Sequence, residues 1–389
     1  MTNRWNDTKA AQCKDALDLR VYTSNLLGED DTLVLHGGGN TSVKENVEGE
    51  EILFVKGSGW DLATIKREGF APVRLDALQK MAIFESLSDS DMVHLQKEAM
   101  TDTSAPNPSV EAILHAIIPF KFVDHTHADA IVTISNSKQG EKIISELFPD
   151  FLIIPYVMPG FILAKTVYEM SRKIDWKKCG GIILHHHGIF TFDDDAKKSY
   201  DKMIDAVAQA ETYLHEHAPL EIPQSETVSF PLDALQKAIS KAKGYDTTLA
   251  TNTSPTARYY ASLGKEAVSR GVLTPEHIIR TKRTPLYLED EQIDEAVASY
   301  EKAYLAYFNQ FATDETCLNP APNYAVIKGF GTVSFGKNEK EANIINDIIT
   351  HTMEAVLRAD KLGGYESISL HESFEMEYWE LEQAKLKKR

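Results

Sequence analysis

Short apolar, β-rich runs separated by helix-patterned segments are the feature that most restricts the folds open to this chain. Five of them, TLVLHGG (residues 32–38), EILFVKGSG (51–59), KFVDHTHADAIVTI (121–134), FLIIPYV (151–157) and GGIILHHHGIFTF (180–192), read as strands of a central sheet. Helical periodicity fills PSVEAILHAII (108–118) and the long DDDAKKSYDKMIDAVAQAETYLHEHA (193–218), whose acidic start suits the positive end of a helix dipole. The N-terminal part is therefore α/β or α+β. Around HAPLEIPQSETVSFP (217–231) the period is lost and Pro, Ser, Glu and Thr dominate, as in a linker. A boundary near residue 222 follows, giving domains 1–222 and 223–389. In the second, DALQKAISKAK and DEQIDEAVASYEKAYLAYFNQF predict helices, NYAVIKGFGTVSFG is strand-like, and KEANIINDIITHTMEAVLRADKLGG predicts a closing helix. With 389 residues, two domains are the natural division.

Charge and cysteine usage exclude several functions. The net charge of −17 disfavours a nucleic-acid partner. The three cysteines are scattered, without CxxC spacing, so neither a disulfide framework nor a thiolate zinc site is expected, and a reducing, cytoplasmic setting fits. The N-terminus is polar, and no apolar run approaches the ~20 residues that span a bilayer, so no membrane role is expected.

The histidines carry the chemistry. DHTH places His125 and His127 two apart, and LHHHG repeats the spacing at His185 and His187. On a strand, residues two apart share a face, about 6–7 Å from each other, and can converge on one ion. A lone HxH is more often structural; two in one domain strengthen the ligand reading. Three imidazoles suit a catalytic zinc site, which keeps one exchangeable position. Glu111 opens a helical segment after Pro108, either as a charge for the first turn or as the missing carboxylate, and His115, one turn later, reads as packed against the sheet.

GGGNTS, KGSG, PSVEAILH, HTH, IPY and HHHG stand in the order and approximate spacing of the class II aldolase/adducin family, which the region from about residue 10 to 220 resembles. That family includes L-fuculose-1-phosphate and L-rhamnulose-1-phosphate aldolases and L-ribulose-5-phosphate 4-epimerase. Over its whole length the chain resembles the aldolase part of bifunctional rhamnulose-1-phosphate aldolase/short-chain dehydrogenase proteins. TPEHIIRTKRTPL, GFGTVSFGKNEKEANI and FEMEYWELEQAKL look like the extension that follows the aldolase fold, without the dehydrogenase half. No strand is followed by G-x-G-x-x-G, and Gly329, Gly331 and Gly336 have the wrong spacing for a dinucleotide turn, so NAD is not expected and these read as hairpin or loop glycines.

The resemblance implies a three-layer α/β fold with a mainly antiparallel central sheet, followed by a smaller C-terminal α/β lobe. It implies His125, His127 and His187 as ligands of Zn2+ or another divalent metal, Glu111 as the acid/base, and Tyr156 as the proton donor to the departing aldehyde from a neighbouring subunit, hence a homo-oligomer, expected to be a tetramer. Gly39, Asn40, Ser42, Ser58, Gly59 and Ser109 match the substrate-phosphate pocket, although Val110 stands where the fuculose enzymes carry a second serine. Lys44 or Lys56 would supply compensating charge there. The implied reaction is cleavage of a ketose 1-phosphate to dihydroxyacetone phosphate and an aldehyde. A pentulose-phosphate 4-epimerase on the same metal site, a lysine Schiff-base aldolase using Lys56 or Lys165, and a non-catalytic adducin-like protein are the alternatives.

Overall fold

The computed structural model describes residues 1–224 and 228–386. Its contacts divide the chain into two compact units, residues 1–135 with 140–214, and residues 136–139 with 215–389. Residues 225–227, within the segment expected to be a linker, lie outside the described residues. No helix among the described residues is long and apolar enough to cross a membrane.

The first unit is built on seven strands: β1 (Asn40–Val47), β2 (Glu50–Lys56), β3 (Phe70–Arg74), β4 (Phe122–Thr126), β5 (Leu152–Ile154), β6 (Ile182–Leu184) and β7 (Gly188–Asp193). They run in the order β3-β2-β1-β4-β7-β6-β5, antiparallel throughout except for the parallel β5–β6 pair. The sheet is thus mainly antiparallel, as the resemblance implies. Three of the apolar runs fold differently from their sequence pattern. TLVLHGG is a turn-rich approach, and the strand begins after it, at Asn40. KFVDHTHADAIVTI is strand only to Thr126 and becomes helix at Asp129–Ser135. GGIILHHHGIFTF is two strands, with His185–His187 in the connecting turn. Alternation of apolar residues does not distinguish a buried strand from a buried helix, and six of the seven helix residues at 129–135 are apolar or small and all but the first are buried.

Register sorts side chains onto two faces. Asn40 pairs with His125, and His125 with Phe190, so these three share a face with Ser42, Val123 and Phe192. That face packs an apolar core of Leu114, Ile118, Val123, Ile154, Leu163, Val167, Ile182, Phe190 and Phe192 against helices Ala112–Ile117 and Phe161–Ser171. The opposite face carries Thr41, Asp124 and Thr191. There Asp124 accepts from Arg20 of helix Ala16–Gly28 and from Ser199 of helix Ala196–His217, while Ser24 bonds Thr41. A helical layer on each face of the sheet makes three layers.

The second unit holds β8 (Thr248–Asn252), β9 (Leu286–Leu288), β10 (Tyr324–Ile327) and β11 (Gly331–Gly336), in the order β8-β11-β10-β9. Helices Leu232–Lys243 and Ile293–Phe311 contribute to the core on this sheet, and helix Glu339–Lys361 packs against β8 and β11. Gly329 (φ 75°) and Gly331 (φ 128°) form the β10–β11 hairpin, where a Cβ on Gly331 would meet the Asn252 carbonyl at 2.2 Å. A hairpin explains these glycines.

Arg20 and Asp124 are 1% and 0% exposed. Asp124→Asn leaves the guanidinium buried without its counter-charge, and an expected loss of ~3–5 kcal/mol follows. Denaturant titration of the two proteins checks it; a loss under about 1 kcal/mol would mean the pair carries little of the fold.

Candidate active site

The site assembles at one end of β4 and in the turn between β6 and β7. His125 is the penultimate residue of β4 and is fully buried. Its ring stacks on Phe190 at 4.0 Å and 11°, and its Nδ1 is 3.0 Å from the Ile189 carbonyl. Donation from Nδ1–H to that carbonyl leaves the Nε2 lone pair facing the cluster. His127 brings its Nε2 to 3.0 Å from that of His125. His187 reaches the same point from the β6–β7 turn, with ring centroids 5.2 Å from His125 and 4.9 Å from His127. His186, at φ 60°, takes the left-handed backbone that turns the chain there. One nitrogen from each of His125, His127 and His187 lies within 4.8 Å of the others, a set that can bind a metal ion.

Glu111 completes the arrangement. It precedes helix Ala112–Ile117 at φ −89°, ψ 9°, a conformation outside regular helix or strand. Its Oε2 is 3.5 Å from His125 Nε2 and its Oε1 is 3.7 Å from His187 Nε2. Oε2 accepts from Asn40 Nδ2 at 2.6 Å, whereas Oε1 is buried with no hydrogen-bond partner among the described residues. An acceptor-only group without a donor costs free energy when buried, and a cation among the three histidines would compensate it. The donor set fits a divalent metal on that observation.

Behind Glu111 lies a hydrogen-bonded chain. Asn40 donates to Glu111, so its Oδ1 must accept from His115 Nε2–H, and His115 Nδ1 then accepts from Ser42 Oγ at 2.8 Å. Ser42 and Asn40 are two apart on β1, and the ring of His115 bridges them. Burial, reinforced by the positive field of His125, Lys44 and Arg20, holds the His115 imidazolium well below its ordinary range, so the ring is neutral. His115 does pack against the sheet, its ring centroid 5.5 Å from that of Phe190 at 65°, but it also orients Asn40. The Glu111 to His115 spacing was the sequence signal for this role; the partners on β1 were not visible in it.

The residues matched to phosphate binding separate into two groups. Ser42 is fully buried and engaged by His115, and Asn40 by both Glu111 and His115. Ser58 and Gly59 are exposed in the turn after β2, beside Asn107 and Ser109: Ser58 N–H donates to the Asn107 carbonyl and Ser109 N–H to that of Lys56. Ser109 Oγ also accepts from Glu111 N–H, which ties this turn to the carboxylate. Gly59 takes φ 86° with open space where a Cβ would sit. Gly39 is different. At φ 60° it packs on β4, where a Cβ would come within 2.7 Å of the His125 carbonyl, and a Cβ on Gly38 would lie 3.2 Å from His127 Nδ1. The glycine run is needed because the loop passes directly over the histidine strand.

The two lysines also diverge. Lys44 donates to the Ile118 and Phe120 carbonyls at 2.7 Å each, beyond the end of helix Ala112–Ile117, and burial lowers it to about 7. Lys56 donates to the Gly37 carbonyl at 3.0 Å, and burial lowers it to about 8 against the opposing pull of Asp61 and Glu111. Lys56 is the cation at the glycine loop. Tyr156 is half-buried with its ring 6.3 Å from that of His186, in the turn that carries His187.

A metal that binds the folded site alone must raise thermal stability, by about 2.7 kcal/mol at a hundredfold excess over Kd. Zinc is expected to stabilise the wild type and to leave His187→Ala nearly unmoved in a melting scan. In the same assay without metal, His115→Leu strands Asn40 Oδ1 and Ser42 Oγ and is expected to cost ~1–3 kcal/mol.

Comparisons with known proteins agree with this architecture. The family profile described as "Class II Aldolase and Adducin N-terminal domain" matches residues 19–214, and that described as "Aldolase class II, second domain" matches residues 228–386. The chain is 30% identical to "Uncharacterized oxidoreductase YuxG" of Bacillus subtilis (strain 168), covering 98% of this chain and 60% of that protein, so it spans less than two thirds of the relative's length. Among solved structures, the N-terminal class II aldolase domain of a conserved protein from Thermoplasma acidophilum is 41% identical, with a TM-score of 0.50, over 55% of this chain and 99% of that one. With its N-terminal half matched by the family profile and its sheet and histidine cluster laid out as described, the chain belongs to the class II aldolase and adducin family.

Proposed function

We propose that the protein cleaves a ketose 1-phosphate by retro-aldol chemistry, releasing dihydroxyacetone phosphate and an aldehyde, with L-rhamnulose 1-phosphate and L-lactaldehyde the favoured pair. The observation that carries this reading is Glu111, one oxygen held by Asn40 and the other unpartnered beside three converging imidazoles. The sugar rests on the whole-chain resemblance to the aldolase part of the bifunctional rhamnulose proteins.

A divalent ion, zinc being well suited to three imidazoles, would be held by His125, His127 and His187 and would supply Lewis-acid stabilisation of the charge that develops on the substrate oxygens. Glu111 exchanges the proton at carbon 3 of the dihydroxyacetone phosphate half, and its hydrogen bond from Asn40 keeps Oε1 as the reactive oxygen. The substrate phosphate sits against Ser58, Gly59 and Ser109, where short side chains and a glycine with open space admit a tetrahedral dianion, with Lys56 supplying positive charge from the glycine loop. Gly39, Asn40 and Ser42 form the wall behind it. Tyr156 protonates the departing aldehyde oxygen of a neighbouring subunit's substrate, so the working form is a homo-oligomer.

The test is release of dihydroxyacetone phosphate from L-rhamnulose 1-phosphate by zinc-loaded protein, measured beside a metal-stripped sample and Glu111→Gln. Release that depends on metal and falls ~10²–10⁴-fold in the variant supports the reading. Tyr156→Phe should lower turnover while zinc content is unchanged. If pentulose phosphate is epimerised and no dihydroxyacetone phosphate appears, the 4-epimerase takes its place.

A further inference from the structure

The second unit contains a charged, aromatic cavity that the chemistry of the first does not use. Its volume is 120 Å³, and its lining includes Arg283, Thr284, Tyr300, Tyr304, Tyr307 and Leu370. That is room for several waters or one small molecule, and below the size of ordinary cofactor pockets.

Two observations single it out. The first is backbone strain. Lys282, immediately before Arg283, has φ 61° and ψ 175°, a conformation that is nearly confined to glycine. Its side chain is buried, donating to the Asn319 carbonyl at 2.6 Å with Nζ 3.3 Å from the centre of the Tyr304 ring. Such strain persists only where the surroundings enforce it.

The second is charge. Arg283 forms no ion pair among the described residues: Nε donates to Ser373 Oγ at 3.1 Å, and the terminal nitrogens reach the Ser269 and Arg270 carbonyls only at 3.5 Å. A guanidinium has five N–H donors, so donors remain for a ligand. Glu377, the nearby carboxylate, does not pair with Arg283: its Oε1 accepts from Tyr304, whose hydroxyl also bonds that of Tyr378, and its Oε2 is buried without a hydrogen-bond partner among the described residues. Burial lowers the Arg283 guanidinium from its ordinary range, while Lys282 opposes the upward push of burial on Glu377. A desolvated arginine without an acidic partner is a cost that a bound anion removes.

We propose that this cavity binds a small organic anion, a carboxylate or phosphate monoester on a compact apolar body, with the head group on the Arg283 fork and the body between Tyr300, Tyr307 and Leu370. The planar fork matches both head groups in bidentate geometry, and the aromatic walls select against a bare inorganic ion. The site is independent of the reaction assigned to the first unit.

Calorimetric titration of the full chain with benzoate and with phenyl phosphate tests it. One equivalent should bind the wild type and Ser109→Ala alike, the tighter of the two ligands identifying the head group. Arg283→Gln should weaken binding at least about tenfold. Leu370→Trp changes a 39% exposed residue at the cavity wall, should do the same by filling the space, and decides the matter if the arginine variant does not fold. No saturable binding of either ligand overturns the proposal. So does binding that survives in folded Arg283→Gln, or that disappears in Ser109→Ala, which would locate it in the first unit.

Discussion

The buried pair of Arg20 and Asp124 is the interaction on which the first unit turns. Asp124 sits on β4 between the site-facing Val123 and His125, so it points away from the histidines, where Arg20 and Ser199 grip it from two different helices. Arg20 also reaches the Ser42 and Val123 carbonyls, touching both strands whose register the site needs. Because successive side chains on a strand alternate faces, a slip of one residue would turn Asp124 to the site and His125 into the helical layer. An ion pair that is intolerant of being unpaired on one face is thereby a register lock for the chemistry on the other.

On the site face the same logic runs through neutral groups. Ser42, His115, Asn40 and Glu111 form a chain in which each donor and acceptor assignment forces the next, and its end product is a carboxylate with one oxygen fixed and one free. Ser42 and Asn40 come from β1, His115 from helix Ala112–Ile117 and Glu111 from the residue just before that helix. The neutrality of His115 matters because a charged ring would donate from both nitrogens, so that Ser42 Oγ would accept from it and the Ser42 O–H would need another acceptor.

Glycine meets a different demand in each of two turns. Gly38 and Gly39 are small because β4 and its histidines lie against them, whereas Gly59, in a different turn, faces open space and uses glycine for its backbone angle. Lys56 joins the two turns by holding the Gly37 carbonyl from the end of β2. The geometry of these turns is therefore a consequence of strand packing as much as of their own composition.

From the residues alone one could read the mixed α/β character, the helices at 196–217, 293–311 and 339–361, and the chance that His125, His127 and His187 converge, because periodicity and HxH spacing are local properties. The resemblance added Glu111 and the mainly antiparallel sheet. What only the tertiary structure decided is contact between distant residues: that His187 arrives from a turn rather than along a strand face, that Ser42 and Asn40 spend their side chains on His115, that Lys44 bonds carbonyls beyond a helix end while Lys56 stays at the loop, and that Arg20 finds Asp124. Local pattern sets which way each side chain faces along its own element. Which partner stands opposite depends on strand order and register, and those are settled by burying the whole sheet at once.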